Sequence, residues 1–125
     1  MRSIRFVLLG SGLFFGLLSA AIADERQGTW LRGDGIARVN VAPCGQALCM
    51  TNVWIKPGSG NEKVGEYIRL DLQPSGPGRW NGTGHDPQRN IDFTTEMVVS
   101  GERMTTSGCA LGGLLCRSTP WSRQR

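Results

Sequence analysis

The chain has 125 residues and a formal net charge of +4, from 14 Lys and Arg against 10 Asp and Glu. Arg2 and Arg5 supply half of that excess: without them 12 basic residues face the same 10 acidic ones and the net charge is +2. The remaining basic residues are scattered singly, with no basic run and no aromatic interleaving, so the electrostatic footprint of a nucleic-acid binder is missing and no nucleic-acid partner is expected.

Arg2 and Arg5 precede an apolar run from Phe6 to Leu18, and Ala21 and Ala23 then form a small-x-small cleavage pattern. Residues 1–23 are read as a signal peptide cut after Ala23, and residues 24–125 as a single exported domain. The apolar run is shorter than the ~20 residues needed to cross a bilayer. The expected mature form is therefore soluble and periplasmic, with no membrane span.

Beyond Ala23 no stretch keeps helical periodicity over three turns, and Gly and Pro recur too often for long helices. Short alternating runs mark about eight strands, at 28–32, 35–42, 48–56, 66–72, 79–85, 91–99, 103–109 and 115–123. In the second, Ala37, Val39 and Val41 share one face; in the fourth, Ile68, Leu70 and Leu72; in the sixth, Ile91, Phe93, Thr95 and Met97. Turn chemistry at 57–61, 73–78, 86–90 and 100–101 separates the runs. The fold class expected is all-β, a small antiparallel up-and-down barrel whose closed sheet hides its own edges.

Cys44, Cys49, Cys109 and Cys116 are an even set at short spacing in an exported chain, which reads as a disulfide framework before a zinc or redox site. A turn centred on Gly112 and Gly113 makes Cys109 face Cys116, within the reach of a disulfide. The first pair is expected to behave similarly, with 45–48 as a four-residue loop. Locality favours these short bridges, Cys44 to Cys49 and Cys109 to Cys116, over a long-range pairing such as Cys44 to Cys116.

His85 is the single histidine. Asp86 follows it, but neighbours on a strand point to opposite faces, so the two need not meet. With no activated-nucleophile motif, neither catalytic residues nor a cofactor or metal is assigned, and the chain is not read as an enzyme. Trp30, Trp54, Trp80 and Trp121 fall on four separate candidate strands. Each brings a large apolar surface, as core filling or as the wall of a ligand cage.

Gly28-Thr29-Trp30 near the start and Trp121-Ser122-Arg123 near the end resemble the signature of lipocalin-like barrels, in which a cation from the last strand packs on the early tryptophan. Arg123 is the better donor and Arg117 the second. The wider pattern includes Asp34-Gly35, Val39-Asn40-Val41, the Cys44 to Cys49 block, Val53-Trp54, Asp71-Leu72, Trp80-Asn81-Gly82, Asp86-Pro87 and the Cys109 to Cys116 block. It resembles a bacterial family catalogued only as domain of unknown function 2147, and implies an exported, lipocalin-like barrel with no catalytic residues to carry over. Met50, His85 and the stretch 90–93 depart from that pattern.

The reading that follows is a barrel binding a small, largely apolar ligand. It would enter among Trp54, Trp80 and Phe93, with His85 near the mouth. The rival reading is an envelope interaction or stress protein with a filled core and no ligand. A chain this short makes short strands, whose large side chains can fill the interior completely.

Overall fold

The computed structural model describes residues 24–125. The expected signal peptide and its cleavage after Ala23 lie outside the described residues. Eight antiparallel strands close into one up-and-down barrel, each paired with its neighbours in sequence and the last with the first. They are β1 (Gly28–Arg32), β2 (Ala37–Cys44), β3 (Ala47–Ile55), β4 (Tyr67–Gly76), β5 (Arg79–Asp86), β6 (Ile91–Ser100), β7 (Arg103–Ala110) and β8 (Leu115–Gln124).

Alternation places the side chains as the sequence suggests. Val39, Val41, Leu70, Met97 and Val99 are buried inside, joined by Trp30, Leu48, Met50, Met104 and Trp121, with Ile68, Leu72, Trp80 and Phe93 packed against them. The outward positions between them carry Arg38, Asn40, Arg69, Asp71, Asn81, Thr83 and Glu96, so the wall of the barrel is polar. None of the described helices is long and apolar enough to cross a membrane.

Three local features differ from the expectation. The stretch 73–78 is not all turn: β4 runs on through Pro74 to Gly76, with a bulge at Ser75, and pairs with β5 as far as Arg79. Pro74 is tolerated because β3 pairs with β4 only up to Leu70, leaving Pro74 without a ladder on that side that would need its missing N–H. A second bulge lies in β3, where Val39 pairs with Asn52 but Arg38 pairs with Trp54, leaving Val53 extra. That one residue reverses the alternation, turning Ile55 inward and Trp54 outward.

The third difference concerns the first cysteine pair. Cys44 pairs with Ala47 and Cys49 with Ala42, so the connection is a two-residue turn at 45–46, with Gly45 at φ 67°. The cysteines are diagonal neighbours on one face rather than directly opposed, with Cα atoms 5.7 Å apart, and they are bonded. The second bridge is as expected: Cys109 faces Cys116 directly and bonds to it, and Ala110 faces Leu115. Gly112 (φ 66°, ψ 24°) and Gly113 (φ 93°) form the positive-φ pair of the turn, closed by the Leu114 N–H on the Leu111 carbonyl at 3.2 Å.

Up-and-down topology gathers alternate connections at each end. The base holds residues 24–27, the turns at 45–46, 77–78 and 101–102, and the chain end at Arg125. The rim holds the connections at 33–36, 56–66, 87–90 and 111–114.

Candidate functional site

At the base, the fully buried Trp30 indole lies under the Arg123 guanidinium, 4.2 Å from its centroid. This is the geometry in which a cation is drawn to the negative face of the ring. Arg123 is held in place by backbone: Nη1 donates to the Gln27 carbonyl at 3.0 Å and Nη2 to the Glu25 carbonyl at 2.7 Å. Its Nε lies 3.1 Å from Glu102 Oε2, an ion pair outside hydrogen-bond alignment. Gly28, at φ 127°, leaves the room Arg123 needs, since a Cβ there would sit 3.2 Å from Nη1. The early glycine thus suits the plug both by its positive φ and by the space it leaves.

Residues 24–27 complete this seal. Trp30 Nε1 donates to the Arg26 carbonyl at 3.1 Å, and the Arg26 guanidinium stacks 4.6 Å over Trp80. Asp24 receives both Nε (3.0 Å) and Nη2 (2.6 Å) of Arg26. Those side-chain bonds hold the Asp24 carboxyl below the usual aspartate range, against the effect of burial.

The rim is tied differently. Arg32 grips Glu62 with two parallel bonds, at 2.8 and 2.7 Å, and its Nε donates to Asp34 at 2.9 Å. Glu62 therefore sits below the ordinary glutamate range, chiefly because of the Arg32 bonds, and Arg32 is raised chiefly by the bonds to Glu62. This clamp fastens the long β3–β4 connection across to β1. Asp86 takes Arg89 at 2.9 Å and Gln88 at 2.7 Å, while Gln88 bridges to the backbone of Tyr67. Below them the Phe93 ring covers Gly84, where a Cβ would overlap it, and also borders Gly108.

The residues singled out in the sequence are not brought together. Trp80 belongs to the base and Phe93 to the rim. On β5 and β6 Trp80 pairs with Met97 and Phe93 with Gly84, four residues apart, or roughly 13 Å along the strand. Trp54 is on the outer wall, 4.7 Å under the Arg38 guanidinium. His85 is also outside and does not meet Asp86. Its Nδ1 is 2.7 Å from Asp92 Oδ1, its directly opposed partner on β6, and Arg69 flanks it on β4. Finding that pair requires the β5–β6 register, which the sequence does not state.

Two open depressions mark the surface. One, of about 490 Å³, lies at the rim between Glu62, Lys63, Glu66, Gln88 and Arg89. The other, of about 460 Å³, lies on the outer wall over Asn81, Gly82, Thr94, Glu96 and Ser107.

The distribution of exposed apolar side chains was not anticipated. Val53, Val64, Tyr67, Ile91, Leu111, Leu114 and Leu115 are the large exposed hydrophobics among the described residues. All lie in the rim connections or in the strand ends that adjoin them. The topological rule that gathers alternate connections at one end is the signal that would have found them.

A family model described as an uncharacterized protein conserved in bacteria (DUF2147) matches residues 28–123. The chain belongs to this family. The match begins at Gly28 and ends at Arg123, so it takes in both the tryptophan and the arginine of the base plug. Comparison with curated proteins finds no match. Among solved structures, a redesigned β-barrel is similar at a TM-score of 0.52 and 14% identity, over 81% of this chain and 93% of that one. At that identity the likeness of the DUF2147 chain to the redesigned barrel is one of fold alone.

Proposed function

We propose that this protein is an exported, periplasmic barrel that acts through its surface and has no enzymatic role. The observation that carries the reading is the filling of the axis. Trp30, Trp80, Leu70, Met97, Met104 and Trp121 pack together as one core, with Phe93 toward the rim, and occupy the volume that a lipocalin ligand would need. The aromatic wall expected for an apolar ligand is also divided, with Trp54 outside and Trp80 and Phe93 at opposite levels. The two disulfides suit an oxidising compartment, and a bacterial chain of this kind finds one in the periplasm.

The test is a tryptophan-fluorescence titration of the mature protein with fatty acids, haem-like rings and hydrophobic dyes. The expected result is no saturable change. Saturable binding that Trp80→Phe or Phe93→Ala abolishes would overturn the filled-core reading and restore the apolar ligand. Fractionation with amino-terminal sequencing checks export, with Asp24 expected as the first residue of the periplasmic form.

A further inference from the structure

We infer that the rim is a membrane-interface face, docking the barrel end-on against an anionic bilayer through the 111–115 tip. The inference rests on the surface-acting reading above and names the partner. Leu111, Leu114 and Leu115 are 71%, 89% and 64% exposed, the first two on the turn beyond the last ladder pair and Leu115 in that pair, opposite Ala110. The Cys109–Cys116 bridge clamps the hairpin immediately below. Leu111 adopts φ 55°, the left-handed region that disfavours any residue with a Cβ. It gains no burial in return. A leucine there is a poor choice for folding and a good one for meeting something apolar.

The size and shape of the patch select the partner. A convex tip of a few side chains falls well short of the ~800 Å² per partner typical of a stable protein complex, which argues against a second copy or a folded protein. A bilayer takes apolar side chains of any outline and needs only a few, provided that polar groups around them remain in water. The polar outer wall keeps the strands out of the hydrocarbon. Tyr67, exposed at the same end, is the amphipathic type that suits the headgroup layer.

Formal charge is balanced over the rim, and the cation nearest the tip on its own strand is Arg117. At the rim, Asp34 and Glu62 share Arg32 and Asp86 pairs with Arg89, while Asp92 contacts the His85 ring and Glu66 accepts the Lys63 backbone N–H. Lys56, Lys63 and Arg117 are exposed and have no carboxylate within ion-pair distance among the described residues. Arg117 lies two residues from Leu115 on the same strand face, placed to meet a lipid phosphate once the leucines enter.

Flotation of the mature protein with phosphatidylcholine vesicles, with and without phosphatidylglycerol, tests the inference. Wild type should bind the anionic vesicles, and Leu111→Ser/Leu114→Ser/Leu115→Ser should lower partitioning by about tenfold or more. Arg117→Gln should lose roughly fivefold, on anionic vesicles only. Wild type that fails to float with either vesicle, or a triple variant that binds as well as wild type, would overturn the inference. So would a concentration-dependent dimer that the triple variant abolishes, which makes a second copy the occupant. Failed flotation beside a null fluorescence titration removes the bilayer and leaves the surface-acting reading standing, whereas a saturable interior ligand removes that reading itself.

Discussion

The two ends of the barrel solve the same problem with different chemistry. At the base, Arg123 and Arg26 lie over Trp30 and Trp80, and residues 24–27 fold across them, so that aromatic surface is covered by cations whose own donors are engaged, Nη1 and Nη2 of Arg123 by the Gln27 and Glu25 carbonyls and Nε and Nη2 of Arg26 by the Asp24 carboxylate. At the rim, the Arg32–Glu62 clamp fastens one loop, yet the leucines of the 111–115 tip stand in water. An end built only to close a barrel has no need of exposed leucines. On the proposed reading, the base serves closure and the rim encounter.

The largest expected effect is at the base. Trp30→Ala removes a fully buried indole from beneath Arg123 and should destabilise by about 3–5 kcal/mol in urea unfolding. A loss below about 1 kcal/mol would mean that the base does not hold the barrel shut. The disulfides come next and act at both ends. With sequence separations of 5 and 7, replacing either pair by serine should cost about 2–2.5 kcal/mol in the chain-entropy account. Similar losses would confine the difference between the ends to what each exposes. A much smaller loss for Cys109 and Cys116 would make the rim staple a device for presenting the tip alone.

Arg123→Ala should cost about 0.5–2 kcal/mol through lost cation–π contact and stem packing, with Arg123→Lys recovering only part of it. Glu62 supplies the smallest of these effects. Because Arg32 lowers its carboxyl in the folded state, its contribution is present above the ordinary glutamate range and disappears as pH falls through the lowered folded value. Glu62→Gln should therefore lower the unfolding midpoint slightly at neutral pH and flatten its decline on the acid side. An acid limb as steep as that of wild type would show that the clamp contributes nothing.

Much of the fold was legible because strand alternation and turn chemistry agree locally. Ile68, Leu70 and Leu72, and likewise Phe93, Thr95 and Met97, face inward as their spacing requires, and Gly112-Gly113 fixes the pairing of Cys109 with Cys116. The Trp30–Arg123 contact was legible from the resemblance to lipocalin-like barrels. The candidate site was far less so. One extra residue at Val53 turned Trp54 to the outer wall, and no local propensity marks such a bulge. The pairing of His85 with Asp92 depends on the β5–β6 register, and the role of residues 24–27 on contacts made only after the barrel closes. Pro74 reads as a turn residue until β4 is seen to outrun β3.

The division of labour between the ends is tested most directly by urea unfolding of Leu111→Ser/Leu114→Ser/Leu115→Ser beside wild type, in the absence of lipid. Side chains that serve encounter and not closure should leave stability within about 0.5 kcal/mol of wild type. A loss of more than about 1 kcal/mol would place the rim leucines among the groups that hold the barrel together, and would contradict the account.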